Sequence, residues 1–227
     1  MDKRRRVLLS WSSGKDSAWT LHRLRQMPEV EVVGLLTTVN GHFGRSAIHG
    51  VRQKLVRRQA AATGLVLFEV PLPWPCSNAD YEKLMGEALE ACRARFAMDT
   101  VAFGDLFLED VRSYREERMA GTGLGLLFPL WGTPTARLAR EMIDGGLRAR
   151  ITCLDPRRVP ASLAGGEFDA RLLEALPREV DPCGENGEFH TFVWDGPMFR
   201  RPVTVAGGEV VNRDGFVYAD LIPEDGG

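Results

Sequence analysis

Short apolar runs alternate with stretches in which apolar residues recur at helical spacing, and this alternation fills the N-terminal part of the chain. Val7-Leu8-Leu9, within residues 6–10, reads as a buried strand. Residues 15–27, with Ala18, Leu21 and Leu24 on one face, read as a helix stopped by Pro28. Val30 to Val39 is a second strand, followed by the loop Asn40-Gly41-His42-Phe43-Gly44. Val51 to Ala62 reads as a helix with Val51, Leu55, Val56 and Ala60 as its apolar positions, and Leu65 to Val70 as a third strand closed by Pro71. A helix capped by Asn78 or Asp80 runs to about Ala97. Thr100 to Phe103 is a fourth strand, Leu106 to Met119 a helix, and Gly125 to Leu130 a fifth strand. Strands joined through helices by short links predict βαβ units, a parallel sheet and right-handed crossovers, with ligands held beyond the carboxyl ends of the strands. That expectation gathers Ser12–Ser17, Asn40–His49 and Gly104-Asp105 at one rim.

After Trp131 the pattern changes. Pro134 to Ile143 reads as a helix ended by Gly145-Gly146, and Leu147 to Cys153 as a strand. A Pro- and Gly-rich stretch spans Asp155 to Gly166, and Phe168 to Leu176 reads as a short helix. From about Phe189 the chain reads as hairpins: Val203 to Ala206, a turn at Gly207-Gly208, Glu209 to Asn212, then Phe216 to Ala219. The expected architecture is α/β, with a parallel-sheet domain over residues 1–132 and a smaller α+β domain over 133–227.

Composition narrows the class. The chain has 227 residues, enough for a substantial core, with 44% apolar and 26% charged residues, as in a globular protein. A net charge of −2 gives no global pull toward nucleic acid or anionic membrane. Lys3-Arg4-Arg5-Arg6 reads as a solvated terminus. No apolar run approaches the ~18–20 residues of a membrane span. The N-terminus lacks the apolar core of a signal peptide, so a cytoplasmic location is expected. Cys76, Cys92, Cys153 and Cys183 form no C-x-x-C pair, which removes the zinc-knuckle and thioredoxin signals. Cys92 and Cys153 read as buried thiols, while Cys76 and Cys183 follow prolines in loops.

The first chemical signal lies between Ser10, at the end of the first strand, and Ser17. A strand, a tight turn and a helix start aim backbone N–H groups at an anion. Gly14 permits close approach, Lys15 adds a mobile charge, Ser12 and Ser17 offer hydroxyls, and Asp16 orients the loop or helps to hold magnesium. The G-x-x-x-x-G-K-[ST] loop of kinases and GTPases is absent. The stretch instead resembles the S-G-G-x-D-S loop of the PP-loop (N-type) ATP pyrophosphatases, with Ser13 where that pattern has its first glycine. The resemblance implies a Rossmann-like fold of the adenine nucleotide alpha hydrolase type and cleavage of ATP between its α and β phosphates.

The second signal is Asp181-Pro182-Cys183-Gly184-Glu185-Asn186-Gly187-Glu188-Phe189-His190-Thr191-Phe192, which crowds acidic and proton-transfer groups into one loop. Gly184-Glu185, Gly187-Glu188-Phe189, Thr191, Asp195, Pro197 and Phe199, together with Phe103-Gly104-Asp105, resemble the diphthine–ammonia ligase branch of that family. His49-Gly50-Val51-Arg52, the run from Asp105 to Arg112 and His190 look like a bacterial-type member. The resemblance implies adenylation of a carboxylate with release of pyrophosphate, then attack by ammonia to give an amide and AMP. It implies ATP and Mg2+ as cofactors, and an acceptor that is a protein side chain or a metabolite.

Under that implication Ser10, Ser12, Ser13, Gly14 and Ser17 cradle the phosphates and Lys15 stabilises the leaving charge. Asp16 and Asp105 serve magnesium or loop geometry, Gly104 lines the site, and Thr37 and Thr38 border adenine. Glu185 and Glu188 position ammonium or act as base, with His190 helping. His49, Arg52, Glu109, Arg112, Gly184 and Gly187 are candidates for substrate contact. Trp11, Trp19, Trp74 and Trp131 read as packing. Two further classes stay open: an adenine-nucleotide sensor without rapid turnover, and a tRNA-modifying enzyme. The tRNA class calls for a basic RNA surface that the charge does not supply. A homo-oligomer is compatible with all three readings.

Overall fold

The computed structural model describes residues 4–41, 44–46 and 50–224. Two sheets carry the chain. The first is built from β1 (Arg5–Ser10), β2 (Val30–Asn40), β3 (Arg45–Ser46), β4 (Leu67–Leu72), β5 (Thr100–Ala102) and β6 (Gly125–Leu127). Their connections are α1 (Lys15–Arg25), α2 (Gln53–Thr63), α3 (Asn78–Phe96) and α4 (Glu109–Met119). The second sheet holds β7 (Arg148–Leu154), β8 (Phe189–Asp195), β9 (Val205–Arg213) and β10 (Phe216–Pro223), with α5 (Thr135–Asp144) and α6 (Ala170–Ala175) beside it.

Five parallel strands lie in the order β4-β2-β1-β5-β6. The chain leaves β1 toward β2 and β4 on one side, then returns to place β5 and β6 on the other. The strand order therefore reverses between β1 and β5, which is where sheets of this kind open a crevice for ligands. The short β3 folds back antiparallel on Val39 and Asn40 of β2, past the last β1 partner, Leu36. The second sheet is antiparallel, in the order β8-β7-β10-β9. The α/β architecture with a Rossmann-like sheet and a smaller C-terminal sheet is as expected. One buried apolar cluster runs through both parts, from Val7, Leu9 and Trp11 to Ile151, Phe189 and Phe192.

Several boundaries differ from the sequence reading, each for a tertiary reason. The α2 helix begins at Gln53 because Arg52 bridges to Arg45 and the Val51 carbonyl accepts from Ser46 N–H. The β4 strand runs through Pro71 to Leu72, since it is an edge strand paired with β2 alone and a missing donor costs little there. Ser77, not Asn78 or Asp80, caps α3, its hydroxyl accepting from Asp80 N–H at 3.1 Å. The α4 helix starts at Glu109 rather than Leu106, because Leu106 N–H donates to the distant Glu185 carboxylate. Gly207-Gly208 is not a turn: β9 continues through it with a register irregularity against β10, and the hairpin closes at Asp214-Gly215, both at positive φ. Trp11 and Trp19 are buried as expected, whereas Trp74 is 65% exposed.

Candidate active site

The loop after β1 is held from three directions. Ser12 Oγ lies 3.1 Å from Ser17 Oγ, and Ser17 donates to the Gly14 carbonyl. The Ser13 carbonyl accepts from Val193 N–H on β8 at 3.1 Å and from Gln59 Nε2 on α2 at 3.0 Å. Gln59 is fully buried, also donates to the Val193 carbonyl, and accepts from Trp11 Nε1. Lys15 N–H, at the start of α1, donates to Thr191 Oγ1. The edge of the second sheet is thereby bolted onto the first loop.

Ser13 sits at φ 71°, the left-handed region where a Cβ is strained, and this is the position the family pattern gives to glycine. Its hydroxyl is buried without a hydrogen-bond partner. Ser13→Gly is expected to relieve both costs. Less the added freedom of the unfolded chain, the net gain is about 1 kcal/mol, a rise of roughly 2–4 °C in Tm by calorimetry.

Lys15 is not mobile. Its side chain is 3% exposed, its Nζ lies 2.8 Å from Asp16 Oδ2, and it sits over the rings of Phe168 and Phe189 at 5.8 and 5.5 Å. Burial works against the ammonium, but Asp16, Cys183 and Glu185 around it outweigh that and raise its pKa. The charge is fixed in place ahead of any ligand.

A cavity of about 200 Å³ opens beside it, lined from the first loop, the Phe103-Gly104-Asp105 turn and the Gly184–Thr191 loop. Ser10, Ser12, Lys15, Asp16, Ser17, Gly104, Asp105, Gly184, Glu185 and His190, all singled out in the sequence, meet there. A neighbouring cavity of about 160 Å³ is lined by Thr37 and Thr38 and shares Ser10 and Ser12 with the first. Gly104 allows a close approach: a Cβ there would lie 3.0 Å from the Asp16 carbonyl carbon and 3.1 Å from Ser17 N, so the backbone at the start of α1 would have to give by a few tenths of an ångström.

Glu185 reaches the cavity with Oε1 accepting from Leu106 N–H at 2.8 Å, while its own N–H donates to Asp181. Burial, with Asp16 and Asp105 nearby, pushes its carboxyl up to about 7 against the pull of the Leu106 N–H and Lys15. Burial, then the Lys15 charge, pushes His190 down to about 4, so its imidazole is neutral at pH 7. Cys183 is buried, with its thiol pushed far up by burial first.

Other expected residues stand apart. Glu188 is fully buried and does not line the cavity. Its Oε1 accepts from Asp181 N–H, Asn186 Nδ2 and Arg158 Nη2, which makes it an anchor of its own loop. Gly187, at positive φ, is also outside the lining. Arg52 pairs with Asp220 of β10, and Arg112 pairs with Glu116 and lies over Trp131 at 4.7 Å. Glu109 is exposed at the start of α4. His49 lies outside the described residues.

Of the two expected metal ligands, Asp105 gives both oxygens to Arg115, at 2.6 and 2.9 Å. Asp16 keeps Oδ1 buried without a hydrogen-bond partner. One open carboxylate oxygen suits a magnesium ion held mainly by phosphates. Among the described residues no group of three or more His, Cys, Asp and Glu side chains is arranged to hold a metal by itself.

Two residues were missed. Arg115 lines both cavities, stacked on Phe103 at 4.2 Å, yet in sequence it looks like one more charge on a solvated helix. Gln59 left a signal: a polar residue in the apolar stripe of Leu55, Val56 and Ala60.

Comparison with known proteins agrees with these motifs. Residues 134–219 match the model of the diphthamide synthase C-terminal domain family. The diphthine–ammonia ligase of Mus musculus is 27% identical over 176 residues, covering 74% of this chain and 62% of that protein. The enzyme of that name from Homo sapiens is 28% identical over 153 residues, 64% of this chain and 56% of that protein. The one from Schizosaccharomyces pombe is 28% identical over 120 residues, 51% of this chain and 20% of that protein. The chain thus spans less than two thirds of the length of these relatives. No described helix is long and apolar enough to cross a membrane.

Proposed function

We propose, from the similarity of residues 134–219 to the diphthamide synthase C-terminal domain and of the chain to diphthine–ammonia ligases, that it is an ATP-dependent amide ligase of the PP-loop type. It adenylates a carboxylate and hands the acyl group to ammonia. The observation that most supports this is the meeting of the two motif loops, one from each sheet, at a single cavity beside the strand-order reversal. In this reading residues 1–132 hold the nucleotide and 133–227 bring the loop for amidation.

A carboxylate is a poor electrophile. Its oxygen attacks the α-phosphorus, the bond to the β-phosphate oxygen breaks, and pyrophosphate leaves. Ammonia then attacks the acyl carbon and AMP departs with the bonding pair. The fixed Lys15 ammonium and the N-terminal end of α1 meet the charge that builds on pyrophosphate, as preorganised groups that need not reorient. Magnesium, when bound through Asp16 Oδ1, supplies neutralisation of phosphate charge. Glu185, ionised above about pH 7, attracts ammonium and takes its proton. Neutral His190 orients the acyl group.

The test is incubation with labelled ATP, ammonium and pooled acids. AMP with pyrophosphate is the expected pair, and ADP with phosphate would remove the adenylation step. An adenine-nucleotide sensor is the second reading. It is favoured by the way the chain itself engages the loop, through Thr191 on Lys15 N–H and Asp16 on Lys15 Nζ. Tight binding with no turnover would select it. Gly104→Ala is expected to weaken ATP binding at least about tenfold by equilibrium dialysis, because the added methyl drives the α1 start away from β5.

A further inference from the structure

Between α3 and α4, over one face of the first sheet, lies a larger cavity of about 410 Å³ with a mainly apolar lining that includes Met85, Leu89, Phe103, Met119 and Leu124. It shares Ser10 and Arg115 with both smaller cavities, and so opens beside the point where the phosphate and Thr37-Thr38 compartments join. We propose that this cavity takes the body of the acid substrate, and that the substrate is a small carboxylic acid with an apolar aromatic or branched aliphatic body. The proposal rests on the ligase reading and names its substrate class.

Two further observations point to a ligand here. The 19-residue α3 buries only Ala88 and Cys92, and Met85 and Leu89, partly buried against the apolar cluster on the sheet, also line the cavity. Gly86 lies in the middle of this helix, lines the same cavity, and a Cβ there would meet nothing within 4 Å. Its backbone has no positive φ to explain it. Glycine inside a helix weakens it relative to alanine, and neither packing nor conformation requires it at this site. The missing side chain leaves the cavity wider at this wall.

The rim carries both signs of charge: Arg115 lies over Phe103 at 4.2 Å and Arg118 over Tyr114 at 5.2 Å, while Glu82, paired with Arg118, and Glu90 line the far side. A carboxylate at the Ser10 and Arg115 end meets a guanidinium that Asp105 holds in place. There its oxygen can reach the α-phosphorus of a nucleotide seated in the smaller cavities. The volume falls in the range of pockets that enclose small organic ligands.

The experiment measures binding of 4-phenylbutyrate and of acetate to the full chain by calorimetry, with a non-hydrolysable ATP analogue present. The variants are Gly86→Ala, Gly86→Leu and Gly86→Phe, each checked for folding by circular dichroism. Wild type is expected to bind 4-phenylbutyrate at least about tenfold more tightly than acetate, since each buried methylene adds to affinity. That preference should fall stepwise with side-chain size and be lost by at least about tenfold in the Phe variant, or in the Leu variant if Phe does not fold. The ATP-analogue Kd should stay within about threefold. Equal binding of the two acids, or a preference indifferent to Gly86, would overturn the cavity assignment, while AMP formation from pooled acids would still stand for the ligase reading. Loss of nucleotide binding in the Leu and Phe variants would make the cavity a nucleobase site and overturn it equally.

Discussion

Lys15→Ala is expected to lower AMP-forming turnover by about 10²–10³-fold, the scale found when one preorganised charge-stabilising group is removed. Unlike a lysine on a solvated loop, Lys15 will also cost stability when it is removed. Its side chain is 3% exposed against an Asp16 side chain that is 27% exposed, so the variant leaves a carboxylate without its partner. A fully buried pair broken on one side costs about 3–5 kcal/mol, and partial access of Asp16 to water reduces this to roughly 2 kcal/mol. Urea unfolding measures that loss, and turnover per folded molecule at saturating ATP measures the other. If turnover of the folded fraction stays at the wild-type level, the loop is not where pyrophosphate leaves. Asp16→Asn in the same background should recover much of the stability and none of the turnover, because it removes the orphaned charge without restoring the ammonium.

The second large effect is on pH dependence. Glu185 must lose its proton to attract ammonium, so kcat/KM for ammonium should rise with pH through about 7 and then level. Glu185→Gln should lower the plateau by about 10²-fold or more and remove this limb. Stability runs the other way. The folded carboxyl titrates near 7 against an ordinary value of 4.5, so the fold favours the protonated form. The contribution of Glu185 is complete below about 4.5, falls as pH rises through about 7, and is flat above it. Glu185→Gln should flatten that slope as well. Opposite signs of the activity and stability slopes, both abolished by one substitution, are a signature that simple unfolding does not reproduce. The charged neighbours Asp16, Lys15, Asp105 and Asp181 stay in place, so any residual slope reports on them.

The alternation of apolar runs and amphipathic stretches was enough to specify the element types and the parallel sheet, because period and length reflect burial that each segment must satisfy locally. The two motif loops were legible for a related reason: a turn that approaches an anion constrains residue types over a few consecutive positions. Ser13 illustrates the limit. Its departure from glycine was visible in the chain, but the left-handed φ and the buried hydroxyl that make it costly were not.

What depended on the tertiary structure was whatever needed partners distant in sequence. Strand order, the start of α4 at Glu109 after Leu106 N–H is taken by the Glu185 carboxylate, and the passage of β9 through Gly207-Gly208 are set by pairings that no local pattern encodes. The same holds for the roles of individual charges. Glu185 and Glu188 are three residues apart and equivalent on paper, yet one lines the cavity and the other is sealed by Arg158, Asn186 and the Asp181 N–H. Arg112 and Arg115 are likewise separated by three residues of one helix, and only Arg115 faces the site. By itself the sequence determined that a strand-turn-helix loop and an acidic glycine loop exist. Only the folded chain decided which of their side chains share a cavity, because electrostatic and packing energies depend on distance and burial, and neither is a property of position along the chain.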